Sequence, residues 1–151
     1  MTSKPELLVH RRVLRFGDCD AAGVMYTPRA FDFAMEALES FYRDVAEATW
    51  CSLPEKYGMA APTVHYSGDF MAILRGDTEY EIAVRVAELG RCSVTYVMDG
   101  TGLDGTHYFR LKAVSCFISL AQEARAPVPV PDDVRARIQT YQAAHPVAKA
   151  D

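Results

Sequence analysis

One long amphipathic segment constrains the fold more than any other feature of the sequence. From Pro28 to about Ala48, apolar residues recur at spacings of three and four, which predicts a helix with one broad apolar face. The apolar positions are Phe31, Ala34, Met35, Leu38, Phe41, Tyr42 and Val45. A face this wide must be covered, and the segments that follow in the chain are the available cover.

Most of the remaining chain is typical of strands. Leu8 to Phe16 alternates between two faces, which predicts a strand with one wetter side. Joined mostly by tight turns, four further strands are predicted at residues 63–72, 79–88, 93–98 and 107–120. Short turns join antiparallel neighbours. The prediction is therefore an α+β fold with about five antiparallel strands, one long helix and a short C-terminal helix after the proline-rich segment from Ala126 to Pro131.

Length and composition limit the class of protein. The 151 residues suit one domain, with an ordered core expected at about residues 7–142. The formal charge is −4 and no dense run of Lys and Arg occurs, which argues against nucleic acid as the main partner. One helix covers only one face of the sheet, so the other face and any exposed sheet edge predict at least a dimer.

Three further properties bear on location and metal binding. No segment approaches the roughly 20 apolar residues that span a bilayer, so no membrane partner is expected. The first residues lack the apolar run of a secretory leader, which favours a cytoplasmic location. The four cysteines are far apart and form no Cys-x-x-Cys pair, which predicts free thiols and no zinc site.

A short loop before the long helix carries the residues that indicate chemistry. It contains Asp18 and Asp20 between two glycines, and it leads into a helix start where Thr27 is the predicted N-cap and Pro28 the first helical residue. The start of a helix offers free backbone N–H groups and a partial positive charge. A carboxylate beside such an anion site provides the two groups that attack on a carbonyl requires, a nucleophile or base and a stabiliser of the developing negative charge.

The loop from Phe16 to Val24 resembles the signature loop of the 4-hydroxybenzoyl-CoA thioesterase family, in which Asp-x-Asp-x-x-Gly precedes a long helix. The resemblance extends through nearly the whole domain to the proline-rich segment. It implies the hotdog fold, in which a sheet wraps around a long central helix. It also implies a homo-oligomer, either a dimer or a dimer of dimers, with active sites at subunit interfaces. The implied reaction is hydrolysis of an acyl-CoA without a metal or other cofactor.

The resemblance implies roles for individual residues. Asp20, the second acid of the motif, is the catalytic residue, as a nucleophile or as a general base; the sequence does not separate the two. A backbone N–H at the helix start, at Thr27 or Tyr26, polarises the thioester oxygen. From their residue types, Asp18 is expected to bond loop amides, and Gly23 to permit a conformation or a close approach that a Cβ would block.

The expected acyl pocket combines Phe31 and Met35, in the first turns of the long helix, with His65 in the second strand. Met35 stands where the 4-hydroxybenzoyl enzyme has an aspartate that binds the substrate's phenol. A thioether is only a weak acceptor for a phenolic proton. The sequence therefore favours a less polar ring or another acyl group.

The turn at residues 90–93 resembles the segment that contacts the phosphates of CoA in this family. Arg91 and Ser93 are the contacting residues that the resemblance implies. In the best-known member this segment carries more cations. Arg75 and Lys112 are the candidates to compensate for the missing charge.

The expected function is hydrolysis of an aromatic acyl-CoA of the benzoyl or hydroxybenzoyl type. Within the same chemistry, 1,4-dihydroxy-2-naphthoyl-CoA, a short-chain acyl-CoA and a carrier-protein-bound acyl group stay open as substrates. A hotdog dehydratase is a second class, but it usually needs a histidine with an acid, and only His65 is a candidate. A non-catalytic acyl-CoA binding module is a third class, which would retain the pocket without needing Asp20.

Overall fold

A five-stranded antiparallel sheet with three helices forms the described part of the chain, which is residues 3–121, 123 and 125–148 of a computed structural model. The strands are β1 (Val9–Val13), β2 (Met59–Ala60), β3 (Thr63–Phe70), β4 (Glu79–Leu89), β5 (Ser93–Gly102), β6 (His107–Cys116) and β7 (Ile118–Ser119). The helices are α1 (Thr27–Asp44), α2 (Leu53–Tyr57) and α3 (Asp132–Ala144), and a one-turn 3-10 helix covers Phe16–Asp18.

The order of the large sheet is β1-β4-β5-β6-β3, and every neighbouring pair is antiparallel. β2 and β7 pair separately as a two-stranded sheet. The strands β1 and β3 are therefore the two edges of the large sheet. This arrangement confirms the predicted α+β class, the number of strands and the C-terminal helix.

Helix α1 crosses the inner face of the sheet and contacts the central strand β5 and the edge strand β3. Near its C-terminal end, the Tyr42 hydroxyl accepts a hydrogen bond from Tyr96 of β5 at 2.8 Å. Near its start, the Tyr66 hydroxyl of β3 donates to the Phe31 carbonyl at 2.9 Å. The core residues on the helix are Ala30, Phe33, Ala34, Ala37, Leu38, Phe41 and Tyr42. The sheet thus wraps around the helix, as the sequence resemblance implies.

The ends of α1 differ from the sequence prediction. The helix ends at Asp44 rather than near Ala48, because Glu47 adopts a left-handed backbone with φ of 51°. At the other end Thr27 is the first helical residue and not the N-cap. The cap is Tyr26, which has the extended backbone of that position, with φ of −64° and ψ of 115°.

The segment between α1 and β3 contains the short helix α2 and the short strand β2, neither of which the sequence analysis predicts. Gly58 ends α2 in the left-handed conformation, with φ of 63°, as glycines after helices commonly do. At the C-terminal helix, Pro131 occupies the N-cap position and Asp132 is the first helical residue. None of the described helices is both long and apolar enough to cross a membrane.

Gly100 of β5 lies directly opposite the buried ring of Phe109 on β6. A Cβ placed on Gly100 would lie 2.3 Å from that ring, so the buried ring or one of the two strands must shift to admit a methyl group. We expect Gly100→Ala to lower the free energy of unfolding by about 1–3 kcal/mol, the usual cost of overpacking a core. Urea unfolding measures this change.

Gly17→Ala is the matched control, because a Cβ there meets nothing within 4 Å among the described residues. We expect the control to change the unfolding free energy by less than about 0.5 kcal/mol. Equal losses in the two variants would show that crowding against Phe109 is not the cause.

Candidate active site

The loop that carries the two acids folds as a narrow hairpin between β1 and α1. At its tip the Asp20 N–H donates to the Val24 carbonyl at 2.8 Å. At its base the Tyr26 N–H donates to the Asp18 carbonyl at 2.9 Å. The tip therefore presents Asp20, and the base joins the start of α1.

Gly23 supplies the bend at this tip. Its backbone has φ of 75°, a conformation that residues with a Cβ rarely adopt. A Cβ on Gly23 would meet nothing within 4 Å among the described residues. Within one chain the backbone conformation, rather than a close approach, accounts for the glycine.

The segment after β3 fastens the hairpin to the sheet. The Met25 N–H donates to the Leu74 carbonyl at 2.8 Å, and the Gly76 N–H donates to the Gly23 carbonyl at 3.1 Å. Val24 also forms an isolated bridge with Arg75. The motif loop thus lies at the end of the sheet where β3 finishes.

The carboxylate of Asp20 is exposed and is held by one of its two oxygens. Its Oδ1 accepts the Ala22 N–H at 2.8 Å and, more distantly, the Val24 N–H at 3.5 Å. Its Oδ2 has no hydrogen-bond partner among the described residues. One oxygen therefore orients the group, and the other is open to a substrate or a water molecule.

Asp18 is held more completely than Asp20. Its Oδ2 accepts the Arg15 N–H at 3.3 Å, and its Oδ1 lies 3.8 Å from Arg29 Nε. Only 17% of its side chain is exposed. Both oxygens of Asp18 are engaged in the structure of the loop, which leaves Asp20 as the acid with an open oxygen.

One of the two predicted oxyanion amides is free at the start of α1. The Tyr26 N–H is bonded to Asp18, Pro28 has no N–H, and the Arg29 N–H donates to the Tyr26 carbonyl at 2.8 Å. The Thr27 N–H has no acceptor in the part of the chain that the structure describes. Thr27 is therefore the available donor, while Tyr26 shapes the hairpin.

The hairpin sets the separation between Asp20 and the helix start. Asp20 pairs with Val24, which lies three residues before Thr27, so the chain between them spans at most roughly 10 Å. A carbonyl group fits between the carboxylate and the amide when each lies about 3 Å from the atom it acts on. The hairpin therefore carries both kinds of group that attack on a carbonyl requires, a carboxylate with an open oxygen and a free backbone N–H.

The Cys19 thiol lies in the same small cavity of 220 Å³ as Asp20 and is the rival nucleophile there. Partial burial raises the pKa of the Cys19 thiol above its ordinary value, and the charges of Asp18, Asp20 and Asp77 raise it further. The thiol therefore stays protonated at neutral pH, and a protonated thiol is a poor nucleophile. The raised pKa therefore makes the Cys19 thiol a weaker candidate nucleophile than the Asp20 carboxylate.

A larger cavity of 360 Å³ lies beside α1, where β3 begins. Its lining is mostly apolar and comprises Met35, Trp50, Ala60, Ala61, Pro62, Thr63, Ile118, Leu120 and Arg125. The lining includes one cation, Arg125, and no acid. This cavity offers no carboxylate to the hydroxyl of a phenolic ring.

The structure separates the three predicted pocket residues. Met35 lines the apolar cavity, whereas Phe31 packs edge-to-face on Tyr66 with ring centroids 4.7 Å apart. His65 lies on the outer face of β3, because its neighbour Tyr66 points toward α1. It is exposed, and its Nε2 lies 3.0 Å from Ser67 Oγ. Within one chain, the three residues therefore do not line a single pocket, since only Met35 lines the apolar cavity.

Trp50 is a cavity residue that the sequence did not single out. It lies in the connection between α1 and α2, and its ring centroid lies 5.4 Å from that of Tyr42. It is the single tryptophan of the chain, and an aromatic residue in an otherwise irregular segment was the available signal.

The predicted CoA-binding turn joins β4 to β5. Arg91 is exposed there, and Ser93 begins β5. Arg75 lies at the opposite end of the sheet, beside the motif loop, and Lys112 lies on the outer face in the middle of β6. The two cations proposed to compensate are therefore remote from the turn. Within the described residues, no group of three or more His, Cys, Asp and Glu side chains is placed to hold a metal ion.

Comparison with known proteins identifies similar chains. A family model described as the thioesterase-like superfamily matches residues 14–138. A comparison with curated protein sequences finds no match. The thioesterase superfamily protein from Jannaschia sp. CCS1 is 26% identical, with a TM-score of 0.78 over 93% of this chain and 97% of that one.

Two more distant structures share the architecture. The 1,4-dihydroxy-2-naphthoyl-CoA thioesterase from Synechocystis is 19% identical, with a TM-score of 0.79 over 89% of this chain and 96% of that one. A Staphylococcus aureus protein solved in complex with CoA is 13% identical, with a TM-score of 0.86 over 100% of this chain and 93% of that one. At these identities the likeness is one of fold.

Proposed function

The chain belongs to the thioesterase-like superfamily and is a thioester hydrolase with the hotdog fold, and on this premise we propose that its substrate is an acyl-CoA. The observation that carries the proposal is the motif loop, where Asp20 has one open oxygen on the hairpin that leads to the open Thr27 N–H. The relatives support the substrate class, since one is a thioesterase for 1,4-dihydroxy-2-naphthoyl-CoA and another was solved with CoA.

In this proposal Asp20 acts at the carbonyl carbon of the thioester. As a nucleophile, it expels the CoA thiolate and forms a mixed anhydride that water then hydrolyses. As a general base, it removes a proton from the water that attacks the carbon directly. In both routes negative charge develops on the carbonyl oxygen. The Thr27 N–H at the start of α1 stabilises that charge, and such a donor typically contributes about 3 kcal/mol.

We further propose that each active site lies between two copies of the chain. The apolar cavity is at the start of β3, whereas the motif loop is bonded to residues 74–76, beyond the end of β3. The eight residues of β3 span roughly 26 Å. Met35 lies roughly 12 Å along α1 from Thr27. A single aromatic ring is shorter than either distance, so one chain does not offer both groups to one such substrate.

The edge strand β3 supports the pairing of two copies. It carries exposed apolar side chains, Val64 at 62% and Phe70 at 43%, and exposed Met71 and Ile73 follow it. An unpaired edge of this kind is a template for another strand. Antiparallel pairing about a two-fold axis sets the start of one β3 against the end of the other. The cavity of one copy then lies beside Asp20 of its partner, in a homodimer.

The cavity favours an apolar aromatic acyl group. Its volume of 360 Å³ is more than twice that of a cavity of about 150 Å³ that holds benzene, so a benzoyl-type ring fits. Because the lining contains no acid, a buried ring hydroxyl would have no carboxylate acceptor. The proposed acyl group is therefore of the benzoyl type, with the larger dihydroxynaphthoyl group as the alternative that the cavity volume also admits.

A panel of thioesters tests the substrate class. We expect kcat/KM for benzoyl-CoA to exceed that for 4-hydroxybenzoyl-CoA by at least about tenfold, the cost of burying an unpaired hydroxyl. Purified protein is incubated with these two substrates, with 1,4-dihydroxy-2-naphthoyl-CoA and with acetyl-CoA while free thiol is followed. A preference for the hydroxylated ring would refute the benzoyl assignment. Binding of every acyl-CoA without thiol release would favour a binding module instead.

A further inference from the structure

The turn between β4 and β5 is held in place by the C-terminal helix. Arg135 of α3 reaches back to it, and its Nη2 donates to the Gly90 carbonyl at 2.7 Å and to the Arg91 carbonyl at 2.8 Å. Arg135 is half-buried and has no carboxylate within 4.0 Å among the described residues. The positively charged guanidinium of Arg135 therefore bonds to backbone carbonyls of the turn and is not paired with a carboxylate.

Every carbonyl of this turn is occupied. Arg135 Nη2 donates to the carbonyls of Gly90 and Arg91, and the Val130 N–H also donates to that of Arg91 at 3.0 Å. The Phe117 N–H donates to the Cys92 carbonyl at 2.7 Å, and the Gly90 N–H to the Ser93 carbonyl at 2.8 Å. The N–H groups of Arg91 and Cys92 have no acceptor in the described part of the chain. The carbonyls of the turn are thus satisfied from within the fold, and its free backbone groups are donors.

These free groups form the kind of surface that binds an anion. Successive backbone N–H groups in a turn make anion-binding concavities, and cationic side chains beside them strengthen the bond to a phosphate. The exposed Arg91 side chain adds one positive charge, and the guanidinium of Arg135 adds a second from behind the turn. The sequence of the turn shows only the first of these cations.

The turn is also within reach of the apolar cavity. Ser93 pairs with Cys116 of β6, and the Cys116 N–H donates at 3.1 Å to the carbonyl of Pro62, which lines the cavity. The turn is therefore two strands from the cavity wall, roughly 10 Å. The pantetheine arm, which separates the thioester of an acyl-CoA from its phosphates, spans such a distance.

We propose that Arg135 is the positioning residue of the site that binds the phosphates of CoA. Arg135 pins the carbonyls of the turn inward, so that the N–H groups and the side chain of Arg91 face a phosphate. This inference rests on the proposed acyl-CoA substrate and extends the site to a helix whose sequence carries no phosphate-binding motif. It separates phosphate recognition, at this turn, from the chemistry at Asp20.

Two thioesters with the same acyl group test this role. We expect Arg135→Gln to raise KM for benzoyl-CoA by about tenfold or more, the scale of a lost charge-assisted hydrogen bond. We expect kcat to stay within about twofold, because Arg135 touches no reacting atom. For S-benzoyl-N-acetylcysteamine, which lacks the phosphates, kcat/KM is expected to be unchanged. Arg135→Lys, which keeps the charge, is expected to recover part of the affinity for benzoyl-CoA.

Arg137 provides the matched control on the same helix. It pairs with Glu47 at 3.3 Å and Asp133 at 3.4 Å and makes no contact with the turn, so Arg137→Gln is expected to leave KM for benzoyl-CoA unchanged. An unchanged KM in Arg135→Gln, or an equal loss with both thioesters, would overturn the positioning role. A wild-type protein that binds no CoA and cleaves neither thioester would overturn the proposed function instead.

Discussion

Replacement of Asp20 by asparagine is expected to lower kcat for acyl-CoA hydrolysis by at least about 100-fold, the usual effect of losing a catalytic acid or base. The amide of asparagine retains an oxygen that can accept the Ala22 N–H, so the tip of the hairpin keeps its anchor. It lacks the negative charge and the basic oxygen that attack or proton removal requires. Steady-state release of CoA thiol under saturating substrate measures the change.

Asp77→Asn is the control for the loss of charge alone. Asp77 lies in the same small cavity as Asp20, and its φ of 64° is a conformation that asparagine tolerates well. We expect this variant to keep kcat within about threefold of the wild type, because the proposed mechanism assigns the attack or proton removal to Asp20 alone. Full activity in Asp20→Asn, or a comparable loss in the control, would move the chemistry to another group.

The motif loop could be predicted because its information is local. Asp18, Asp20, Gly23 and the start of α1 follow one another within a dozen residues, and the hairpin uses backbone bonds among those same residues. The long helix could be predicted for the same reason, since the spacing of its apolar residues is a property of its own sequence. The local sequence does not show which of the two backbone N–H groups, that of Tyr26 or that of Thr27, is free. Only the fold shows that the Tyr26 N–H is already bonded.

Contacts between distant segments explain what the sequence did not show. Alternation along β3 indicates that His65 and Tyr66 face opposite ways, but only the bond from Tyr66 to the carbonyl of Phe31 decides which of them faces the helix. Arg135 and Gly90 are separated by 45 residues and share no motif. Trp50 lines the apolar cavity together with residues from distant segments, such as Pro62 and Ile118. Such pairings depend on tertiary packing, which overrides local patterns.

A complementation experiment tests whether the active site is shared between two copies of the chain. We expect Asp20→Asn and Met35→Trp to be nearly inactive separately and to regain about a quarter of wild-type activity when co-expressed with different tags. The indole of the second variant fills the apolar cavity that Met35 lines. With random pairing, about half of the dimers are mixed, and each mixed dimer has one of its two sites intact.

Blocking the edge of β3 is the control for this recovery. Val64→Lys places a charge on the exposed edge strand, which natural proteins use to prevent strand pairing, and is expected to give a monomer with little activity. Leu103→Lys charges another exposed apolar residue, in the connection between β5 and β6, and is expected to leave the dimer and its activity unchanged. If Asp20 and the cavity served the same substrate within one chain, no mixture of the two inactive variants would recover activity. Recovery that Val64→Lys abolishes and Leu103→Lys preserves would therefore require an active site completed across paired β3 strands.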